Sequence, residues 1–333
     1  GEAYIALQSG VPASDLTLHG NNKSMEELRY AVDNGIGKVV IDSFDEIDKI
    51  EHLYATTKTP IKALVRVTPG VEAYTHKYVT TGQVDSKFGF TVQNGQAGKA
   101  IERARSSGAI DLIGLHAHIG SQIFTSDSFR KSTDILVKLA EHFGLPELCV
   151  GGGLGVPYLN DESSIPISEW GAIVHDISSS SSATLKITSE PGRSIVASSA
   201  VTIYTVGTIK EIEGVRTYVA VDGGMHDNPR PALYGSDYET FLARSINEPR
   251  KQKITLVGKH CESGDVLVKE GDIQDDLVVG DLLVTPVTGA YGHSMGSNYN
   301  KVLRPAVVFV QGGKSRLVLR REELSDLLNS DVT

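Results

Sequence analysis

The sequence contains very little cysteine and no long apolar run. Cys149 and Cys261 are the two cysteines among 333 residues, too few for a disulfide framework, so a reducing cytoplasm is the expected compartment. No apolar stretch approaches the ~20 residues of a membrane-spanning helix, and we therefore expect no membrane partner. Acidic residues outnumber basic ones, with 32 lysines and arginines against 41 acidic residues and a net charge of −9. Because no basic stripe stands out, nucleic acid is not an expected partner either.

The first part of the chain alternates between short apolar runs and helix-forming segments, which is typical of a parallel α/β fold. Two helix starts have the spacing of a capping box, Ser24 with Glu27 and Ser43 with Glu46. Six runs rich in β-forming residues predict strands at residues 16–19, 39–42, 63–67, 112–118, 148–150 and 185–187.

Glycine-rich or polar segments follow several of these strands, and in a β/α barrel the strand ends form the face that binds ligands. A closed (β/α)8 (TIM) barrel has eight strands, so we expect two further strands, on the order of 60 residues, to precede Gly1. An open doubly wound sheet is the alternative, since it needs no additional strand. It is disfavoured because no dinucleotide fingerprint opens the visible part of the chain.

From about residue 197 the pattern changes to alternating runs without intervening helices, separated by glycine, Asp and Asn. Such runs lie at 201–206, 217–221, 282–287, 306–310 and 317–319. This pattern predicts an antiparallel β sandwich or barrel. We therefore predict two domains, a β/α barrel over residues 1–196 and an all-β domain over residues 197–333.

The most informative motif is Glu190-Pro191-Gly192-Arg193, which follows the last predicted strand. Proline fixes its own φ and glycine permits unusual backbone geometry, so a ligand can approach closely between the acid and the base. A planar ligand with a cationic nitrogen at one end and an anion at the other suits this motif, and pyridoxal phosphate (PLP) is such a ligand. A turn beside a solvated ion pair is the competing interpretation.

Three other features carry possible chemistry. The glycines at 151–153 follow a strand, where backbone N–H groups can surround a phosphate. His116 and His118 are two positions apart on one predicted strand, so they face the same side and suit a Zn²⁺ ion or, preferably, packing in the core or against a ligand. Cys261 lies among charged and polar residues, which makes it a candidate acid/base or nucleophile, whereas Cys149 on an apolar strand is predicted to be structural.

Seven motifs occur in a fixed order along the whole chain. They are H-G-N-N-K at 19–23, H-x-H-I-G-S-Q at 116–122, G-G-G-L-G at 151–155, E-P-G-R at 190–193, D-N-x-R-x-A-L-Y at 227–234, C-E-S-G-D at 261–265 and G-A-Y at 289–291. Together they resemble the bacterial diaminopimelate decarboxylases. The resemblance implies a PLP enzyme with an alanine-racemase-like barrel and a β domain, working as a homodimer with shared active sites. It also implies decarboxylation of meso-2,6-diaminopimelate to L-lysine and CO2, the last step of lysine biosynthesis.

The resemblance assigns roles to residues of this chain. Glu190 would keep the pyridine nitrogen protonated, so that the ring accepts the electrons left by CO2. His118 would lie against the ring face, and Cys261 of the partner subunit would protonate the carbanion. Cofactor contacts are implied for Ser121, Gly153, Glu190, Pro191, Gly192, Arg193 and Tyr291. Substrate contacts are implied for Arg193, Arg230, Tyr234, Glu262 and Tyr291, with arginines suited to the second carboxylate and Glu262 to the ammonium group.

One feature departs from the family pattern. The PLP-bearing lysine of the family lies in a Y-A-x-K-A motif that is absent here, and Lys23, at a helix start, is not a substitute. Two interpretations stay open, an active enzyme whose first strands lie upstream or a natural chain without the lysine, which would be a non-catalytic homologue. A decarboxylase of a related diamino acid and a metal-dependent hydrolase built on His116 and His118 are the further alternatives.

Overall fold

The computed structural model describes residues 1–71, 85–182 and 184–332, which form two compact units. Unit 1 comprises Gly1–Gly155 and Ser164–Gly192, and unit 2 comprises Val156–Ser163 and Arg193–Thr333. Among the described helices, none combines the length and the apolar character needed to cross a bilayer.

A parallel sheet forms the centre of unit 1 and confirms the predicted α/β class. In the described residues it is ordered β1-β2-β3-β5-β6-β7, and β4 pairs with the end of β3. Six of these strands were predicted, whereas β4 was not. The strands are β1 (Thr17–Leu18), β2 (Lys38–Ile41), β3 (Ile61–Thr68), β4 (Phe90–Thr91), β5 (Ile110–His116), β6 (Glu147–Cys149) and β7 (Lys186–Thr188).

The sheet of unit 1 is strongly curled. β1 and β7 are its outer strands, yet the side chain of His19, directly after β1, lies 2.8 Å from that of Glu190, just beyond β7. Lys38 of β2 likewise pairs with Glu147 of β6, although β3 and β5 separate these strands in the sheet. Contacts between such distant strands require the sheet to bend round, as it does in a β/α barrel. The curl supports the barrel prediction over the open doubly wound alternative.

Helices alternate with these strands along the chain. The helix start at Ser24 forms the predicted capping box, in which Ser24 Oγ accepts from the Glu27 amide at 3.1 Å and Glu27 Oε2 accepts from the Ser24 amide at 2.7 Å. The helices are α1 (Glu2–Gln8), α2 (Met25–Asp33), α3 (Phe44–Thr57), α4 (Gln96–Ser106), α5 (Ser126–Phe143), α6 (Ile167–Ser179) and, at the unit boundary, α7 (Gly192–Val196).

The second predicted capping box, at the start of α3, is wrong in one half. Ser43 Oγ accepts from the Glu46 amide at 3.2 Å, as the spacing predicts. The Glu46 carboxylate does not return to Ser43; it accepts from the Asp42 amide at 2.9 Å and pairs with buried Lys23. A buried ammonium group without a carboxylate is far more costly than one unfilled cap position. The Glu46 carboxylate therefore pairs with Lys23 instead of completing the capping box.

Replacing Leu136 of α5 by alanine is expected to lower the free energy of unfolding by about 2–5 kcal/mol, because a completely buried leucine would leave a cavity. Leu139, on the same helix, is only partly buried and is the matched control. Leu139→Ala should cost roughly 1 kcal/mol, the typical effect of a substitution. Denaturant unfolding followed by circular dichroism measures both, and equal losses would contradict the difference in packing.

Unit 2 is rich in strands, which confirms the β character of the second domain, but it also contains a short α-helix at Arg230–Tyr234 and is therefore not all-β as predicted. Its larger sheet is ordered β10-β13-β8-β9-β11-β12, and β14 and β15 form a separate hairpin. The β9–β11 pair is parallel, so the sheet is not purely antiparallel as predicted. The elements are β8 (Val201–Ile212), β9 (Arg216–Val221), α8 (Arg230–Tyr234), β10 (Phe241–Leu242), β11 (Gln252–Val257), β12 (Val266–Ile273), β13 (Leu282–Pro286), β14 (Val307–Gln311) and β15 (Lys314–Leu319).

Candidate active site

Three strand ends of unit 1 bring an acid and two histidines together. Glu190 follows β7, His116 ends β5, and His19 follows β1. His116 Nε2 lies 3.1 Å from Glu190 Oε2, and His19 Nε2 lies 2.8 Å from Glu190 Oε1. The carboxyl ends of the strands meet on one face of a β/α barrel, so residues distant in sequence share this position. His19 was not among the predicted site residues, although it begins the H-G-N-N-K motif.

The Glu190 carboxylate is held in its ionised form. Burial by itself would raise the pKa of Glu190, but hydrogen bonds from His116 and His19 outweigh it and hold the pKa well below its usual range. Burial lowers the pKa of His116, whose side chain is 1% exposed, so its imidazole is neutral at physiological pH. Neutral His116 donates through Nε2–H to Glu190, which leaves Nδ1 as a buried acceptor with no partner among the described residues.

His118 lies beyond β5 rather than on it. Because the strand ends at His116, the prediction that both histidines share one strand is wrong. The Gly152 amide donates to His118 Nδ1 at 3.3 Å, which places the proton of the neutral ring on Nε2. Burial lowers the pKa of His118 to about 4, and nearby His116 adds to this effect. At physiological pH His118 is therefore a neutral ring whose orientation is fixed by the glycine turn.

The glycines at 151–153 allow two turns to pack backbone against backbone. Gly151 and Gly153 have φ values of +70° and +98°. A Cβ on Gly152 would lie 2.2 Å from the Glu190 carbonyl oxygen, and one on Gly153 would lie 2.1 Å from that of Gly120. No side chain fits at either position, so the turn packs directly against the E-P-G-R turn.

The other predicted cofactor residues of unit 1 lie in the turns after β5 and β7. Ser121 and Pro191 are half-buried. A Cβ added to Gly192 would meet nothing within 4 Å. Open space therefore lies beside the E-P-G-R turn.

Lys23 is a buried structural cation. Its Nζ donates to the carbonyl oxygens of Gly20 and Val40, both at 2.7 Å, and lies 2.5 Å from Glu46 Oε1. An ammonium group has three donors, so all three are in use. The side chain thus ties the turn after β1 to β2 and α3.

Arg66 is a second buried cation near the strand ends, and no motif indicated it. Its Nη1 lies 3.4 Å from Asp42 Oδ2, and its guanidinium lies 4.3 Å from the centroid of the Phe88 ring. Burial lowers the pKa of Arg66, while the carboxylates of Asp42 and Glu190 oppose this shift. In the sequence, Arg66 could have been noticed only as a single arginine within an otherwise apolar predicted strand.

In unit 2, Arg230 is enclosed by hydroxyl groups and aromatic rings. It is 5% exposed, and it donates from Nε to the Tyr238 hydroxyl at 2.9 Å and from Nη2 to Ser236 Oγ at 3.1 Å. The rings of Tyr158 and Tyr234 lie 5.1 and 5.7 Å from its guanidinium. Burial raises the pKa of Tyr238 to about 12, so its hydroxyl stays protonated. Among the described residues, no carboxylate forms an ion pair with Arg230.

Arg193 joins the same cluster. Its Nη1 donates to the Tyr158 hydroxyl at 2.7 Å, and its guanidinium lies 4.7 Å from the Tyr291 ring centroid. Tyr291 lies 5.9 Å from Arg230 and has a φ of +59°, so a strained turn presents this ring to both guanidinium groups. The structure therefore brings together four predicted residues, Arg193, Arg230, Tyr234 and Tyr291. It adds Tyr158 and Tyr238, which no motif indicated.

Cys261 and Glu262 lie on another loop of unit 2, before β12. Both are exposed, and Glu262 accepts a hydrogen bond from the Tyr299 hydroxyl. Cys149 differs sharply from Cys261, because it is buried on β6 and burial raises the pKa of its thiol to about 12. Of the two cysteines, only Cys261 is accessible to a reactant.

Among the described residues, His19, His116 and Glu190 are also the only group of donor atoms close enough to share a metal ion. The predicted metal alternative instead combined His116 with His118, and these two do not belong to one such group. Hydrogen bonds between the histidines and the carboxylate account for the observed arrangement.

Known proteins resemble the chain along its whole length. The family model described as "Pyridoxal-dependent decarboxylase, pyridoxal binding domain" matches residues 1–197. Diaminopimelate decarboxylase from Bacillus subtilis is 45% identical over 343 residues, covering 100% of this chain and 78% of that protein. The Mycobacterium tuberculosis enzyme of the same name is 42% identical with the same coverage of both chains.

Solved structures agree with these relatives. Diaminopimelate decarboxylase from M. jannaschii, in complex with L-lysine, has a TM-score of 0.91 at 30% identity and covers 100% of this chain and 78% of its own. The resemblance inferred from seven motifs is thus confirmed by identity that spans both units. The chain belongs to the diaminopimelate decarboxylases, within the family of pyridoxal-dependent decarboxylases.

Proposed function

We propose that this protein is a diaminopimelate decarboxylase, which uses PLP to convert meso-2,6-diaminopimelate to L-lysine and CO2. The observation that carries the proposal is the Glu190 carboxylate at the strand ends of unit 1, whose two oxygens lie within hydrogen-bonding distance of His116 and His19. It lies inside the region that matches the pyridoxal-binding domain.

The residues around Glu190 fit the cofactor. Each Glu190 oxygen accepts one hydrogen bond from a histidine and keeps a further lone pair, which a protonated pyridine nitrogen can use. When bound, PLP supplies an electron sink for the electron pair that remains after CO2 leaves. Glu190 sustains that sink because a carboxylate favours the protonated ring nitrogen. We assign His118 to the ring face, and Ser121, Gly153, Pro191, Gly192, Arg193 and Tyr291 to the remaining cofactor contacts.

Arg193 and Arg230 suit the carboxylate that the substrate retains. Arg230 is a buried cation without an ion pair among the described residues, so an incoming carboxylate would neutralise it. A guanidinium group also matches the two oxygens of a carboxylate geometrically. A diamine decarboxylase whose substrate has no second carboxylate would have little use for this cluster. Tyr234 and Tyr291 line the same cluster, and Glu262 is suited to the distal ammonium group.

Cys261 is assigned as the proton donor to the carbanion. Its side chain is exposed on a loop of unit 2, whereas the other thiol is buried. In the proposed homodimer, Cys261 acts in the active site of the partner subunit.

The β14–β15 hairpin supports association with a second copy. Phe309, Val310 and Leu317 are all exposed on it, and an isolated two-stranded sheet is only marginally stable in water. Exposed apolar surface of this kind marks an interaction site.

A cytoplasmic location is consistent with two free cysteines.

A non-catalytic homologue is the second candidate. Lys23 is the PLP lysine in neither candidate, because its Nζ already donates to the carbonyl oxygens of Gly20 and Val40 and pairs with Glu46. Such a homologue would hold PLP without a covalent bond or would not hold it at all.

Protein produced from its natural gene should release CO2 from meso-diaminopimelate in the presence of PLP. Borohydride reduction followed by peptide mapping should then locate the cofactor on one lysine. Manometry or a coupled CO2 assay measures turnover. The yellow absorbance of PLP measures the bound cofactor. Protein that shows no cofactor absorbance and no CO2 release would refute the proposal and support the second candidate.

The matched control for this assay uses the two cysteines. Cys261→Ala should keep the cofactor absorbance and lose about a hundredfold or more of CO2 release, the usual contribution of a general acid. Cys149→Ala should lose much less turnover than Cys261→Ala, because its thiol is buried on β6, although it also contacts Glu190. Equal losses of cofactor and turnover in Cys261→Ala would remove its role as proton donor.

A further inference from the structure

Two histidines outside the assigned site form a hydrogen-bonded pair in unit 2. His226 Nδ1 lies 2.9 Å from His260 Nε2, and their ring centroids are 4.9 Å apart in an edge-on arrangement. His226 is 2% exposed, whereas His260 is half-buried. His260 directly precedes Cys261 in the chain.

The surrounding groups define which nitrogen carries each proton. His226 has a hydrogen bond with the Leu303 backbone that raises its pKa, so a ring N–H is the donor in that bond. Because Nδ1 faces His260 and Asp227 Oδ2 lies 3.5 Å from Nε2, the proton of neutral His226 belongs on Nε2 and Nδ1 is left as an acceptor. His260 must then donate from Nε2, and its bare Nδ1 faces Asn300 Nδ2 at 3.5 Å. Every contact in this chain of groups therefore joins a donor to an acceptor. The pair is a directional link between the loop at 223–228 and the loop at 258–265.

Asp265 ties the same two loops through their backbone. It is buried, and its carboxylate accepts from the Met225 amide at 2.7 Å and from the His260 amide at 2.9 Å. The Lys259 amide adds a bond to the Gly223 carbonyl oxygen at 3.1 Å. The histidine pair extends this connection to the exposed end of the 258–265 loop. Among the described residues, no backbone hydrogen bond holds Cys261 itself.

Both neighbours of Cys261 are held from one short segment. Tyr299 donates to Glu262, and Asn300 contacts the His260 ring. The Tyr299 ring also lies 5.3 Å from the His260 ring. The orientation of the His260 ring is therefore linked to that of Glu262 through Tyr299, and these two residues flank Cys261.

We propose that His226 and His260 act as a positioning pair that fixes the segment carrying Cys261 and Glu262. The catalytic meaning of this pair rests on the proposed function, since it concerns the proton donor assigned there. The pair touches neither substrate nor cofactor in this role; it acts through the loop.

Burial keeps the His226 ring neutral at physiological pH. Burial lowers the pKa of His226 to about 4, with His260 as the next cause, and Lys259 acts in the same direction while Asp265 opposes it. Asp227 faces His226, and Tyr299 and Glu262 lie on the side of His260. A proton on both rings would place two N–H groups against each other, so the hydrogen bond requires at least one neutral ring.

Hydrogen exchange measured by mass spectrometry on residues 258–266 tests the pair in the purified protein without substrate. His226→Ala removes the acceptor, and the amides of this segment should exchange about tenfold faster, as expected when a local tie is lost. His226→Asn is the conservative variant, because Oδ1 of asparagine can take the place of Nδ1, and exchange should return to within about threefold of the original. Peptides from β5 should exchange equally in all forms.

Unchanged exchange in His226→Ala would overturn the proposal. Equally fast exchange in His226→Ala and His226→Asn would also overturn it, because packing of the ring rather than its hydrogen bond would then fix the loop. Should His226→Ala fail to fold, the half-exposed His260→Ala carries the same expectation and the same criteria. Since no turnover enters this measurement, a protein without decarboxylase activity but with the expected exchange would count against the proposed function alone.

Discussion

Replacing Glu190 by glutamine is expected to lower CO2 release about a thousandfold, within the range seen when a preorganised charged or hydrogen-bonding group is removed. Glutamine keeps the size and the hydrogen-bonding ability of the side chain but not its charge. His116 and His19 hold the carboxylate ionised, so its charge persists throughout the neutral pH range. Without that charge the pyridine nitrogen is less readily protonated, and the ring accepts electrons less well. Steady-state CO2 release with saturating PLP measures the effect.

The control for Glu190→Gln is Glu102→Gln, on the exposed face of α4. This substitution removes the same charge at a solvent-exposed position and should leave turnover within about twofold, as surface changes usually do. Cofactor affinity in Glu190→Gln should fall much less than turnover, because the phosphate contacts remain. A variant that loses PLP and activity in parallel would show that Glu190 binds the cofactor without tuning it.

Arg230→Met should raise the KM for meso-diaminopimelate about a hundredfold, since a charge-assisted hydrogen bond contributes roughly 1.5–3 kcal/mol. The inhibition constant of L-lysine should rise by a similar factor, because lysine keeps the carboxylate that the arginines are proposed to bind. Folding should survive the change. No carboxylate among the described residues is paired with Arg230, so methionine removes a buried charge without leaving an opposite one unpaired.

Arg216→Met is the matched control for Arg230→Met. Arg216 also lies over a tyrosine ring of unit 2, at 5.8 Å from Tyr218, but it is exposed on β9. Its substitution should change neither the KM nor the lysine inhibition constant. If Arg230→Met left both constants unchanged while unfolding at a lower denaturant concentration, the arginine would be structural and substrate recognition would lie elsewhere.

The fold class and much of the candidate site could be predicted from local patterns. Short β-rich runs predicted six strands of the curled sheet, and the motif order predicted the family. The resemblance assigned Arg193, Arg230, Tyr234, Glu262 and Tyr291 to the substrate. The structure places four of them together in unit 2, while Glu262 lies on another loop against Tyr299. The confirmed predictions, the fold class and the family, share a cause, since each depends on residues close to one another in sequence or on a recognisable motif.

The failures concern competition between distant groups. Glu46 has the spacing of a capping box, yet it pairs with Lys23 because a buried ammonium group needs a carboxylate. His118 was placed on a strand that ends two residues earlier. Tyr158 lies in a segment whose sequence shows no motif, although its hydroxyl orients Arg193. Periodicity reports on the local backbone and contains no information about which side chains meet across the fold.

By itself, the sequence determined the α/β and β-rich units, the family and the acid of the E-P-G-R turn. Tertiary structure decided how that acid is tuned, because only the curl of the sheet brings His19 after β1 and His116 on β5 to the two oxygens of Glu190. It also decided how Arg230 is enclosed and how His226 meets His260. The physical reason is common to all three cases. Charge state and orientation depend on burial and on partners brought from far along the chain, and these exist only after folding.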